Sequence, residues 1–413
     1  KLVHHSDMLA DLPMMCIRLI ELHRVLKITG TLCVHCDPTA SHYLKILLDS
    51  IFGPERYVNE VVWRRTGAHN STRSFGPIHD IINFYSKSDN YKFNIVRRTY
   101  MKGHVESRYS KTDEGKLKFS SGGNVLTGAG VTDGPSCEPW RQFDPKASGR
   151  HWAIPTFYEQ YMPAEYKNFT PIEKLEALHE AGHVEIKDKT RWPVMVRYLG
   201  ERDGVPIQDI WAYQPYTQGT VWETSEGIDE DVKWLGPTDP ERIGFQTQKP
   251  LGLMERIINA FTDSDGWILD PFGGCGTTAA AAEKLKRNWN IIDITTLSIN
   301  LVKRRIEQMY KNKKIEMIVE GYPADLAGAK ELFGEDAFEF QYWCCDLINA
   351  RPYADKKKGA DRGIDGTVIF PDKEKDGSQA VYKKLLVQVK GGKVNSAQIR
   401  DFRGTIEREK AAG

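Results

Sequence analysis

The stretch ILDPFGGCGTTAAAA at positions 268–282 constrains this chain more than any other. "GWILD" reads as a short strand ending in Asp270, and "TTAAAAEKLKR" is a strong helix former. Between them, Gly273, Gly274 and Gly276 permit positive φ and let another group approach the backbone closely. A second strand, "NWNIID", ends in Asp293, 23 residues after Asp270. A strand, a glycine turn, a helix and a second strand tipped by an acid describe one corner of a doubly wound α/β sheet.

Such a corner suits an adenine cofactor, with Asp293 placed to accept hydrogen bonds from ribose hydroxyls. Gly274, Gly276 and Ala279 also satisfy a GxGxxA pattern, which keeps NAD open. Asp270 argues against it, because an acid before the turn repels a pyrophosphate. It favours a ligand with a cationic group, such as the amino group of S-adenosylmethionine. Upstream, Thr247, Gln248 and Lys249 offer hydroxyl, amide and ammonium donors for a carboxylate, which complements an acid at the amine. Phe272 and Cys275 would add aromatic and polarizable contacts.

The rest of the chain divides by pattern. Residues 1–95 alternate an amphipathic helix "MMCIRLIELHRVLK" with the strand "GTLCVHCD", the helix "SHYLKILLDSIFG" and the strands "YVNEVVW" and "DIINFYSKS". Residues 96–245 lose periodicity and concentrate tryptophan: Trp140, Trp152, Trp192, Trp211, Trp222 and Trp234. Alternation returns over 246–320, and from about 325 a helix leads to two strands, "GIDGTVIF" and "KKLLVQVKGG".

With 57 basic and 56 acidic residues, no net field draws the chain to nucleic acid, so any such contact must be local. No apolar run approaches membrane-spanning length. Seven scattered cysteines fit a reducing, cytoplasmic setting, and the Cys33–Cys36 pair reads as part of a half-buried strand rather than a metal site. The first residue is not Met and the last residues interrupt a charged helical pattern, so the chain is expected to be a piece of a longer protein.

The motifs together resemble the DNA methyltransferases that modify exocyclic amines of adenine or cytosine. "DPFGGCGTT" is similar to that family's cofactor motif and "FQTQKP" to its TQKP motif. "GTLCVHCDPTASHYLKILLDSIFG", "NEVVWRRTGAH" and "HDIINFYSKS" resemble its catalytic half. The order matches the β arrangement: residues 1–95 as catalytic half, 96–245 as target-recognition region, 246–320 as cofactor half. The resemblance implies a Rossmann-like sheet and S-adenosylmethionine held by Thr247, Gln248, Lys249, Asp270, Phe272, Gly273, Gly274, Cys275, Gly276, Thr277 and Asp293. It also implies a double-stranded DNA substrate, with adenine ahead of cytosine, a role in modification or restriction-modification, and a homodimer as an open alternative.

The family's catalytic motif, an acid, amide or serine followed by Pro-Pro and an aromatic, is missing from this sequence. "DPTA" at Asp37 is a poor substitute, and the motif is expected upstream of Lys1. The catalytic residues are therefore unknown, and a catalytically incomplete protein that binds cofactor and DNA is the competing reading. In the middle region, Arg141, Arg150, Arg191 and Arg197 suit phosphate contact, as do Arg64 and Arg65 before it.

The C-terminal strands resemble the PD-(D/E)xK nuclease core, in particular its Mrr-like restriction branch. Asp365 opens one strand and Gln388-Val389-Lys390 lie on the next, residues 388 and 390 on one face. The resemblance implies that Asp365 holds a divalent cation such as Mg²⁺ with Gln388, while Lys390 meets water and phosphate. Glu339 in the preceding helix is a candidate further ligand. Residues 325–413 would then form a nuclease-like α/β domain, itself truncated at Gly413.

Overall fold

The computed structural model describes residues 8–68, 73–119, 126–186, 192–200, 204–311, 315–353, 363–372 and 381–413. Arg191 lies outside the described residues. The chain forms two compact units: Lys1–Val96 with Asp209–Ala212 and Asp231–Gly413, and Arg97–Gln208 with Tyr213–Glu230.

The first unit begins with helix α1 (Met8–Val25), strand β1 (Thr31–Cys36), helix α2 (Pro38–Phe52), and strands β2 (Tyr57–Arg64) and β3 (His79–Ser86). Leu19 of α1 meets Leu44, Leu48 and Phe52 of α2, and the two helices bury Tyr85 of β3 beneath them. "DPTA" is a helix start. The Asp37 carboxylate accepts from the amides of Thr39 (2.8 Å) and Ala40 (3.1 Å), and Pro38 occupies the first turn. Hydrogen bonding from the Thr39 hydroxyl and these amides holds the Asp37 carboxyl below its usual range. Cys33 and Cys36 sit on β1, which runs antiparallel to β3.

β3 also pairs antiparallel with β2, and β2 takes a parallel partner, β4 (Ile210–Trp211), giving the order β1-β3-β2-β4. The Trp63 indole on β2 donates to the Val232 carbonyl at 2.8 Å, fixing the chain where it returns to this unit.

Helix α4 (Leu251–Phe261), strand β5 (Trp267–Asp270), helix α5 (Thr277–Lys284), strand β6 (Asn288–Ile291) and helix α6 (Thr296–Met309) follow, after α3 (Pro171–Glu180) of the other unit. β5 and β6 are parallel, with Asp270 opposite Ile291. The alanine run is explained by packing: Ala279, Ala280, Ala281 and Ala282 are fully buried between α4, α6 and the strands, against Ile258, Val302 and Ile306. Only a methyl side chain lets neighbouring helices approach α5 so closely. The sheet pattern departs from a single doubly wound sheet, since the described pairing leaves β5–β6 separate from β1-β3-β2-β4, with β1 and β5 each at an edge. Trp267 on β5 is correspondingly 58% exposed.

The C-terminal segment contains α7 (Leu326–Glu335), α8 (Ala337–Leu347), β7 (Arg351–Pro352), β8 (Gly366–Asp372), β9 (Val381–Val387) and α9 (Ser396–Arg408). Its strands form an antiparallel sheet in the order β7-β8-β9. The sequence predicted that 388–390 continue β9, but the strand ends at Val387. The cause is local. The Asp365 carboxylate takes the Val389 amide at 2.7 Å, removing it from ladder pairing.

The second unit has short strands around an aromatic core that takes up several of its tryptophans. Trp140 and Trp152 are 2% and 3% exposed and pack with Tyr158, Tyr166, Leu175 and Leu178, with Trp192 against them. Their indoles are satisfied internally, by Glu176 Oε2 (2.7 Å) and the Glu138 carbonyl (2.8 Å). Helix α3 starts with a capping box between Thr170 and Glu173 and carries Leu175 and Leu178 into this core. Arg141 is paired with Glu176 at 2.5 Å, Arg150 reaches the Thr127 carbonyl at 3.4 Å, and Arg197 lies over the Phe119 ring at 4.4 Å. Trp222 belongs to this unit, whereas Trp211 and Trp234 belong to the first.

Among the described residues, no helix is long and apolar enough to cross a membrane.

Candidate functional site

The glycine corner is held by two acids. Asp270 Oδ1 accepts the Phe272 amide at 3.0 Å, and its Oδ2 accepts the Thr278 hydroxyl at 2.6 Å. Asp293, at the end of β6, reaches across to accept the Gly274 amide at 2.9 Å. Its other oxygen takes the Thr295 amide and hydroxyl, both at 3.0 Å. Each carboxylate therefore braces the turn while keeping lone pairs for a ligand, since an ionised carboxylate offers roughly four acceptor sites.

The glycines are dictated by this packing. A Cβ at Gly273 would stand 2.0 Å from Ile291 Cγ2. At Gly276 φ is +72°, and a Cβ would meet Val302 Cγ2 at 2.8 Å. Gly274 has φ +52°, and the Phe245 ring lies 3.2 Å from where its Cβ would be. Phe245 of "FQTQKP" thus sits on the glycine turn.

The loop carrying Thr247, Gln248 and Lys249 is tied to the same corner. The Thr277 hydroxyl donates to the Lys249 carbonyl at 3.3 Å. Gln248 folds back on its own loop, donating to the Glu241 carbonyl (2.8 Å) and accepting from the Ile243 amide (2.9 Å). The Lys249 ammonium donates to the Thr247 carbonyl at 2.9 Å, and burial pushes it below the ordinary lysine range against the pull of Asp80. Phe272 is half exposed, with the Arg18 guanidinium 5.9 Å from its ring centre. Cys275 is buried, its thiol 3.6 Å from the Thr277 hydroxyl and 3.8 Å from Arg305.

Sequence reasoning missed the residues that hold this junction. Arg305 of α6 is 7% exposed. It donates to the Thr277 hydroxyl at 2.9 Å and to Glu241 Oε1 at 3.2 Å. Glu241 also accepts the Leu251 amide at 2.8 Å, and burial outweighs these partners to raise its carboxyl above the usual range. In the sequence Arg305 is one basic residue among several in "LVKRRIEQM", and nothing distinguishes it.

Two cavities open beside the corner. One, of about 220 Å³, is lined by Trp63, Arg65, Asp80, Thr247 and Lys249 among others. Asp80 is buried there, with His35 Nε2 at 2.9 Å and Arg65 Nε at 3.0 Å. Arg65 thus reaches a buried acid from an exposed position, and Arg64 lies over the Trp234 ring at 5.0 Å. The other, of about 440 Å³, is lined by Phe245, Asp293, Thr295, Leu297, Ser298, Glu339 and Tyr342. That volume falls in the range of small-molecule sites, roughly 300–1,000 Å³. The glycine cradle, the free acceptor capacity of Asp270 and Asp293 and the aromatic wall of Phe245 fit S-adenosylmethionine.

At the C-terminal hairpin the structure brings Asp365 beside Val389, as described, while the Gln388 amide donates to the Gly363 carbonyl at 3.1 Å. Lys390 is exposed. Glu339 does not join them: its carboxylate accepts the Thr296 amide at 2.8 Å, at the start of α6. The sequence reading of Glu339 as a metal ligand overlooked this cap, which no local pattern announces. Among the described residues, no group of three or more His, Cys, Asp or Glu side chains is placed to hold a metal.

Comparison with known proteins agrees with this division. Residues 12–304 match the model of the DNA methylase family, and residues 334–413 match that of a restriction endonuclease family. The Type II methyltransferase M.EcaI of Enterobacter cloacae is 29% identical over 70% of this chain and 55% of its own. The Type II methyltransferase M.KpnI of Klebsiella pneumoniae is 24% identical over 65% of this chain and 61% of its own. The chain thus spans little more than half the length of these relatives. Among solved structures, PvuII DNA methyltransferase (cytosine-N4-specific) is 10% identical, with 84% of this chain and 81% of that one covered at a TM-score of 0.35. By its glycine corner, its tethered TQKP loop and a family match over residues 12–304, the chain belongs to the DNA methylase family, with a restriction-endonuclease-like region following it.

Proposed function

We propose that this chain transfers a methyl group from S-adenosylmethionine to an exocyclic amine of double-stranded DNA, adenine N6 ahead of cytosine N4, within a restriction-modification system. One observation carries the reading. Thr277 and Arg305 lock the "FQTQKP" loop onto the glycine corner, so donors for a carboxylate and acceptors for an amine and a ribose belong to one rigid site.

The cofactor, when bound, supplies a methyl group activated by a sulfonium. The chain's own residues bind and orient. Asp270, fixed by Phe272 and Thr278, presents its remaining lone pairs to the cationic amino group. Lys249 offers positive charge to the carboxylate, and Asp293 accepts from the ribose. Phe272, Gly273, Gly274 and Gly276 shape the turn, and Cys275 and Thr277 support it from the interior side. The target amine carries its own lone pair, so positioning for in-line attack suffices and no covalent protein–base adduct is needed.

Residues 96–245 are proposed as the target-recognition region, flanked by the catalytic half over 1–95 and the cofactor half over 246–320. The aromatic core of the middle unit supports this as a rigid platform, with recognition carried by its surface. Residues 325–413 are proposed as an Mrr-like nuclease domain in which Asp365, Gln388 and Lys390 bind Mg²⁺ and phosphate, with DNA completing the ligand shell. A homodimer and a cytoplasmic setting complete the proposal.

The test uses the purified protein with labelled S-adenosylmethionine, unmethylated duplex DNA and mass spectrometry of the hydrolysed nucleosides. N6-methyladenine is expected. N4-methylcytosine would move the target, and no labelled nucleoside would leave a protein that binds without transferring. In that protein Asp365→Ala should abolish Mg²⁺-dependent cleavage with methylation intact, and surviving cleavage would remove the nuclease assignment.

A further inference from the structure

The cavity beside Asp293 is not made by the methylase region alone. Two of its lining side chains, Glu339 and Tyr342, stand on α8, inside the segment that matches the restriction endonuclease family. Three polar contacts fasten this part of the chain along α6 of the cofactor half. Glu339 accepts the Thr296 amide at 2.8 Å, Lys303 pairs with Asp346 at 3.0 Å, and Arg304 donates to the Ala350 carbonyl at 3.1 Å. The contact is well packed, for Tyr342 is 3% exposed and the Asp346 side chain 10%.

The chemistry of the cavity is specific. Asp293 and Glu339 are acceptors, and the remaining wall is the Phe245 and Tyr342 rings, Leu297 and two hydroxyl residues. Two acidic residues lining one space disfavour a phosphate and favour a neutral group with two donors. A ribose cis-diol has that character, and the aromatic and leucine surfaces suit the purine attached to it.

We infer that α8 of the endonuclease-like region completes the adenosine end of the cofactor site, with Glu339 and Tyr342 contacting the bound nucleoside. This rests on the S-adenosylmethionine reading above. Its consequence is coupling. A ligand that touches both regions stabilises their docking, and by linkage the docked endonuclease-like region tightens cofactor binding by the same factor. Cofactor occupancy would thus be communicated to the hairpin of Asp365 through α8, whose Gln341 and Cys345 reach the Asp365 carbonyl at 3.3 and 3.7 Å.

The test is titration of S-adenosylmethionine into the 413-residue chain and into Glu339→Gln, Tyr342→Ala and Asp270→Ala, with amide hydrogen exchange across 337–347 measured with and without cofactor. Glu339→Gln and Tyr342→Ala are each expected to weaken binding about tenfold, and cofactor is expected to slow exchange in α8 of the unmodified chain. If both variants bind within twofold of the unmodified chain and exchange in α8 is indifferent to cofactor, while Asp270→Ala binds poorly, the inference is wrong and the cofactor site stands. If the unmodified chain binds no S-adenosylmethionine, both fall. Should Tyr342→Ala fail to fold, Glu339→Gln and the exchange measurement decide.

Discussion

Asp270 and Asp365 both stand at strand boundaries, Asp270 closing β5 and Asp365 just before β8, and each carboxylate takes a backbone amide. Their surroundings differ in how many independent contacts converge. Around Asp270, a second acid crosses from β6 to Gly274, a hydroxyl from α5 fixes the carboxylate, and Thr277 ties in a loop from 28 residues upstream. Around Asp365 the Val389 amide bonds the carboxylate and α8 reaches the backbone carbonyl through Gln341 and Cys345, while Gln388 turns to Gly363 and Lys390 faces solvent. The first arrangement holds its acids in place before a ligand arrives. In the second, Gln388 and Lys390 turn away from the Asp365 carboxylate, to Gly363 and to solvent. Preorganisation, rather than the presence of an acid, separates the two sites.

The severest way to break the first site is to fill its turn. Gly276→Val places a branched side chain at φ +72° against Val302, so cofactor binding should fall more than about 100-fold in calorimetric titration. Asp270→Ala is milder, because the turn retains Asp293. Losing a charge-assisted hydrogen bond should weaken S-adenosylmethionine by about 1–3 kcal/mol, and wild-type affinity would show that Asp270 serves only the turn.

At the hairpin the corresponding change reads out as stability. Asp365→Ala leaves the Val389 amide without its acceptor, which should cost about 1–2 kcal/mol in denaturant unfolding of the C-terminal segment. An unchanged midpoint would mean that the hairpin end is as loose as its short contacts allow.

The smallest effect belongs to the middle unit, which resembles the glycine corner in being internally paired. Hydrogen bonds from Arg141 and then Trp140 hold the Glu176 carboxyl below its usual range. Its contribution is therefore present above the unfolded value near 4.5 and disappears as pH falls through the lower folded value. Glu176→Gln should flatten the acid limb of this unit's stability curve by less than about 1 kcal/mol, since both partners are partly exposed. An unaltered acid limb would assign the pairing no energetic role.

Much of the glycine corner was legible because it is local. The strand, the positive-φ glycines and the alanine helix lie within one contiguous stretch, and each residue type has a geometric reason to be there. The role of the tryptophans of the middle unit was not legible, because an indole has the same composition whether it stacks on a base or fills a core. Only burial distinguishes the two.

The sequence by itself determined the corner, the α/β class and a methylase region followed by an endonuclease-like one, since these follow from periodicity, turn chemistry and motif spacing along the chain. The tertiary structure alone decided which charges are buried and with whom. Arg305 meets Glu241 across 64 residues, Asp80 lies between His35 and Arg65, and Glu339 caps α6 rather than serving the hairpin. Such partnerships come from helices and loops distant in sequence, and a charged side chain carries no local mark of the partner it will meet once water is excluded.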